Sequence, residues 1–183
     1  SGRSLMIVFN EDNDHYFKLD STLMTQDALE GYIDRLATTK VTHFFMCPNG
    51  QRASYDSQVD EPIWAGVNDD PVAHSWCINA GILHRKGIDP YAVWTKQCRK
   101  RGISPWITVR MNDGHGLSST RKNYRNAQYW HEHPELRRVP ETVCDNGWKT
   151  AQLMVYDYSK PVAYQHHLDL VRELLTRYDV DGI

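Results

Sequence analysis

Three strand-sized apolar runs, each closing on a burst of polar residues, constrain this chain more than any other feature. Leu5–Phe9 ends in Asn10, Glu11, Asp12, Asn13, Asp14 and His15; Val41–Cys47 ends in Pro48-Asn49-Gly50; Ile103–Met111 ends in Asn112-Asp113-Gly114-His115-Gly116. Runs apolar on both faces suit strands of a parallel sheet covered by helices. Helical signals lie between them. Thr25 stands as an N-cap before Asp27 and Glu30, with Leu29, Tyr32, Ile33 and Leu36 at helical spacing. Asp89 caps a second helix with Pro90 at its first position, a Tyr91, Trp94 and Cys98 stripe, and Gly102 just past its basic end. The stretch from Pro48 to about Gly87 reads as a long polar loop, and a short helix is expected around Asn123–His133. Ser159-Lys160-Pro161 opens the last helix, whose Tyr164, Leu168, Val171, Leu175 and Tyr178 predict its buried stripe. Asp179–Ile183 then reads as the start of a fourth strand.

Four strands alternating with three long helices imply crossover connections and a parallel sheet. An open doubly wound sheet usually carries a glycine-rich phosphate turn after its first strand, and Phe9-Asn10-Glu11-Asp12 has none. The expectation is therefore α/β, a (β/α)8 TIM barrel, of which residues 1–183 form the amino-terminal part with loop insertions at about 48–87 and 112–155. A barrel takes about 250 residues and eight strand–helix units, so the chain is expected to be part of a longer protein. The alternative is a half-barrel completed by dimerisation.

Charge argues against two partner classes. Lys and Arg number 21 against 23 Asp and Glu, so no global basic field draws in nucleic acid or anionic lipid. No apolar run reaches the roughly 18–20 residues of a membrane span. The four cysteines, Cys47, Cys77, Cys98 and Cys144, are far apart and read as buried or free thiols, one disulfide remaining open. The polar start, Ser1-Gly2-Arg3-Ser4, does not settle location.

In a barrel the active site lies at the carboxyl ends of the strands, where the polar bursts fall. Asn10, Asp12 and Asp14 follow the first strand, Asn49, Gln51, Arg52, Tyr55 and Asp56 the second, and Arg110, Asn112, Asp113 and His115 the third. Any one cluster could be ordinary turn chemistry; three at equivalent positions suggest a site. Alternation along Trp106, Thr108 and Arg110 aims the guanidinium at the barrel mouth, where it needs a carboxylate such as Asp12 or Asp113. Trp64, Trp76, Trp130 and Trp148, placed in loops, are candidate platforms for a sugar face, whereas Trp94 belongs to a helix stripe. His131-Glu132-His133 lacks the HExxH spacing that aims two imidazoles at one zinc, and His166-His167 is adjacent, so no metal and no cofactor is expected.

The ordered set of Phe9-Asn10-Glu11-Asp12-Asn13-Asp14, Cys47-Pro48-Asn49-Gly50, Tyr55-Asp56-Ser57, Gly87-Ile88-Asp89-Pro90, Arg110-Met111-Asn112-Asp113-Gly114-His115, His133-Pro134-Glu135, Tyr156-Asp157-Tyr158-Ser159 and Arg177-Tyr178-Asp179-Val180-Asp181-Gly182-Ile183 resembles the amino-terminal half of bacterial glycoside hydrolase-like TIM-barrel proteins. The resemblance implies hydrolysis of O-glycosidic bonds in an oligosaccharide or polysaccharide, in the periplasm or outside the cell, with the cytoplasm left open. It places Asn10, Asp12, Asp14, Tyr55, Arg110, Asn112, Asp113 and His115 in the substrate-binding wall, and the catalytic carboxylates beyond Ile183. Two other readings stay open: a non-catalytic carbohydrate-binding barrel, and a metal-dependent hydrolase using His115 with Asp12 or Asp14. The sugar, the linkage and the oligomeric state are not legible.

Overall fold

A computed structural model describes residues 5–68, 74–118, 123–144 and 152–183. Strands β1 (Val8–Glu11), β2 (His43–Met46) and β3 (Ser104–Ile107) form a parallel sheet in the order β1-β2-β3, with Phe9, Phe44 and Pro105 in register. Helices α1 (Gln26–Ala37), α2 (Ser75–Arg85), α3 (Pro90–Arg101), α4 (Gln128–Glu132) and α5 (Pro161–Arg177) accompany it. Among the described residues the sheet has only these three strands, so the fold is a small α/β domain on an open sheet and the expected TIM barrel is overturned. The glycine-rich turn whose absence had spoken against an open sheet is a requirement of pyrophosphate binding, not of the sheet itself.

The expected fourth strand shrinks to one parallel bridge. Ile107 donates its N–H to the Gly182 carbonyl at 3.0 Å, and Asp181 donates to the Pro105 carbonyl at 2.8 Å. Gly182 lies flat against the Trp106 ring, where an added Cβ would come within 2.2 Å.

Several helix ends form as the sequence dictates. The Thr25 side chain accepts from the Ala28 N–H, and Asp89 accepts from the N–H groups of Tyr91 and Ala92. Gly102 ends α3 at φ 71°, a left-handed conformation that a side chain would strain. α2 falls inside the stretch read as polar loop; His74 caps it, and Trp76, Cys77, Ala80 and Leu83 are buried.

α5 forms, but with a different face inward. Ala163, His167, Leu170 and Leu174 are buried, while Tyr164, Leu168 and Leu175 of the expected stripe are 44%, 43% and 49% exposed. Both stripes have helical spacing, and the contacts available to the helix decided between them. Tyr178, just past its end, is buried as expected.

The main core lies on the side of the sheet carrying Phe44, Met46 and Ile107, where Leu29 and Ile33 of α1 meet Trp94 and Cys98 of α3. Trp94 stands edge-on to Tyr16, Phe44 and Tyr91. Each such side chain, fully buried, contributes about 1.5–3 kcal/mol. The opposite side of the sheet, with Val8, Asn10, His43, Phe45 and Trp106, stays exposed or half-buried. Phe45 and Trp106 stack there with ring centroids 5.5 Å apart. The second insertion packs a smaller core of its own, with Leu117, Trp130, Leu136, Met154 and Tyr156 against Ala163 of α5. Cys47, Cys77 and Cys98 are buried, and no helix among the described residues is long and apolar enough to cross a membrane.

Candidate functional site

Parallel strands expose their last residues together, and the loops after β1, β2 and β3 meet around Arg110. Its guanidinium Nη2 lies 2.6 Å from both carboxylate oxygens of Asp12, and Nη1 lies 4.0 Å from Asp113. Arg110 and Asp12 keep about a third of their side-chain surface open, 31% and 30%, so the pair faces solvent rather than the core. Burial works to raise the Asp12 carboxyl, but the Asn13 N–H and the Arg110 guanidinium outweigh it and hold the group below the usual carboxylate range.

The loop after β2 fixes this geometry. Asn49, fully buried, accepts the Arg110 N–H at 3.0 Å and donates to the Arg110 carbonyl at 3.3 Å. Its own carbonyl accepts from the Asn13 side chain at 3.2 Å, so one residue ties together the loops after all three strands. Gly50 lets the Asp113 carboxylate approach; a Cβ there would stand 2.7 Å from Oδ2. Gln51 donates to the Asp113 carbonyl at 3.1 Å and accepts from the Ala127 N–H at 3.2 Å.

Asp113 is 5% exposed at its side chain and binds His115 twice, through the backbone N–H at 3.1 Å and through Nδ1. Arg110, Asp113 and His115 line one wall of an open cleft of about 440 Å³ that Gln152 and Val155 complete. Asn112 also borders this cleft, but both ends of its amide are bound to the backbone of Tyr156, at 3.0 and 3.1 Å. That clamp makes Asn112 an anchor for the second insertion.

The remaining sequence-derived candidates divide. Asn10 is exposed on the open side of the sheet, in register with Phe45, and makes no hydrogen bond to a described side chain. Asp14 is tied to Lys18 at 2.7 Å. Tyr55 lies elsewhere: it is buried against Tyr91 and Tyr178, with Arg177 5.2 Å above its ring, beside a separate cleft of about 220 Å³. Trp64 stacks on His84 at 4.4 Å beside that second cleft, whereas Trp76 and Trp130 are core. Trp148 lies outside the described residues.

Asn49, one of the polar residues expected at the strand ends, braces Arg110, whereas Glu11 was not among the expected site residues. Glu11 is 2% exposed; it accepts the Tyr16 N–H at 2.8 Å and the Tyr32 hydroxyl at 2.5 Å, and burial pushes its carboxyl up despite both bonds. Asp12, Asp14 and His15 bring ligand atoms within 4.8 Å of one another. Both carboxylates already hold cations of the protein, Arg110 and Lys18, and His115 is engaged by Asp113, so the metal-dependent reading gains no support.

The structure thus presents a small α/β domain whose strand ends carry a braced arginine–carboxylate cluster beside an open polar cleft. In open α/β sheets, ligands bind outside the carboxyl ends of the strands. The chain matches no family model and no curated protein.

Proposed function

We propose that the cleft beside Arg110 binds a carbohydrate and serves as part of the substrate-binding wall of a glycoside hydrolase. The observation that carries this reading is the half-open Arg110–Asp12 pair, braced from behind by buried Asn49 and flanked by Asp113 and His115. A purely structural ion pair gains little from such bracing, because exposed pairs contribute only about 0–1 kcal/mol. A pre-set row of charged donors and acceptors, by contrast, matches the hydroxyls of a sugar without a reorganisation cost on binding. The resemblance of the ordered motifs to those of glycoside hydrolase-like proteins favours the same substrate class.

Titration of the chain with neutral oligosaccharides released from plant cell-wall polysaccharides tests this reading, followed by amide and arginine side-chain NMR shifts. The expected result is a set of shifts centred on Arg110, Asp113 and His115. Shifts centred on Trp64 and His84 would move the site to the other cleft, and no shift with any oligosaccharide would remove the carbohydrate reading.

A further inference from the structure

α5 faces two cores, and His167 stands where they meet. The helix sends Leu170 and Leu174 into the main core and Ala163 into the smaller core of the second insertion. His167, 6% exposed, lies between them on the same buried stripe. Its ring meets Tyr156 and Tyr158 of the second insertion edge-on, centroids 5.8 and 5.0 Å apart. Nδ1 lies 3.2 Å from the Ala163 carbonyl and Nε2 2.9 Å from the Tyr158 hydroxyl, so each nitrogen of the neutral ring has a partner. The groups around it leave a charged ring no counter-ion of its own. Asp60 and Glu61 come from the first insertion, Arg110 and Asp113 from the loop after β3, Tyr129 from α4 and His166 from α5 itself, all bordering with His167 a cavity of about 50 Å³. Each of these three carboxylates is already engaged: Asp60 Oδ1 lies 2.8 Å from His166, Glu61 3.6 Å from Arg52, and Asp113 binds His115. A proton added to His167 therefore makes a buried cation 5.6 Å from a second imidazole. Burial outweighs the Ala163 carbonyl and Asp60, which favour the cation, and lowers the His167 pKa from 6.5. Tyr156, against which the ring packs, is clamped through its backbone by Asn112, and its neighbour Val155 walls the cleft beside Arg110.

We propose that His167 is an acid-operated latch: a proton taken from solvent by its ring releases the second insertion from α5 and opens the cleft wall that carries Gln152 and Val155, while the three-stranded sheet and its core stay folded. This goes beyond the binding wall, because it places the cleft under the control of pH whatever ligand it takes, and its test uses no sugar. Release exposes His167 to water, where the ring takes up a proton near 6.5; the latched ring does so only at lower pH. Opening is therefore suppressed above 6.5 and grows by up to about tenfold per pH unit below it, until the pH reaches the latched-state value.

Amide hydrogen exchange of the whole chain, followed by NMR from about pH 7.5 to about pH 5 and corrected for intrinsic rates, decides it. The N–H groups of Arg138 and Asp157, bonded to the Val155 and Leu136 carbonyls, report the second insertion; those of Cys47 and Thr108, bonded to the Glu11 and Met46 carbonyls, report the sheet. Protection of the first pair should fall severalfold over that range while the second pair keeps its own. His167→Gln, which retains a hydrogen-bonding side chain and cannot titrate, should abolish the fall, and His166→Gln should leave it, which separates the latch from the Asp60–His166 pair. A flat profile, equal losses in both regions, a fall that survives His167→Gln or one that vanishes in His166→Gln would each overturn the proposal. The wild type decides even where a variant does not fold, because His167 ring signals that titrate at 6.5 or above would overturn it as well.

Discussion

Glu11 and Asp12 are adjacent at the end of β1, yet they belong to two different regions of the molecule. Glu11 turns into the aromatic core under α1 and α3, where Tyr16 and Tyr32 bind it and burial makes its charge costly. Asp12 turns to the strand-end cluster, where Arg110 and a backbone N–H favour its charge. The alternation of a strand, carried one residue past its end, separates a buried core carboxylate from one paired with Arg110 at the strand ends. The core region is apolar and closed; the cleft region is charged, half-open and held in place by hydrogen bonds from behind.

The largest expected effect lies in the core. Trp94→Ala should cost about 3–5 kcal/mol of unfolding free energy, whereas Trp106→Ala, on the half-exposed side of the sheet, should cost about 1–2 kcal/mol. Urea titration measures both, and equal losses would erase the distinction between the two sides. Next comes Asn49→Ala, which strands buried backbone groups of Arg110 and should cost about 2 kcal/mol. It should also scatter the 110–115 amide shifts, which Trp94→Ala leaves in place among the molecules still folded.

A pH comparison sharpens the contrast between the neighbours. The Glu11 carboxyl is raised from 4.5 in the folded chain, so its stabilising contribution is full below that value and is lost as pH climbs through the folded-state value. The stability gap between the wild type and Glu11→Gln should therefore narrow from pH 4 to pH 7. The Asp12 carboxyl is lowered from 3.8, so its contribution is present above that value and is lost as pH falls through the folded-state value. The gap for Asp12→Asn should close on acidification below 3.8. Gaps moving in the same direction would contradict the assigned environments. The smallest effect belongs to α5, where Leu168→Ser on the exposed stripe should change stability by less than about 0.5 kcal/mol; a large loss would mean that this face is covered in solution.

Much of the architecture was legible because it rests on local chemistry. The cap at Thr25, the Asp89–Pro90 start and Gly102 end of α3, and the parallel pairing of the three apolar runs all follow from short-range rules. The convergence of Asp12, Arg110, Asp113 and His115 followed in turn from parallel strands ending on one edge. The open three-stranded sheet was not legible and a barrel was expected in its place, because closure depends on how many strands pair and no local pattern counts them. The inward face of α5 was equally hidden, since two stripes of helical spacing compete and only tertiary contact chooses. Asn49 was expected in the polar cluster after the second strand; its role as the brace of Arg110 arises from a contact 61 residues away that no local pattern shows. Asp60 and His166, separated by 106 residues, left no joint signal at all.

Whether the Arg110 cluster exists for a ligand rather than for the fold is tested most directly by Arg110→Ala. Oligosaccharide affinity by calorimetry and the urea midpoint should be measured on the same preparation. The expected result is a loss of affinity of about 10- to 150-fold, the equivalent of a charged hydrogen bond of about 1.5–3 kcal/mol, with a midpoint close to the wild type. Unchanged affinity together with a large drop in the midpoint would make the Arg110–Asp12 pair a structural clasp and contradict the claim.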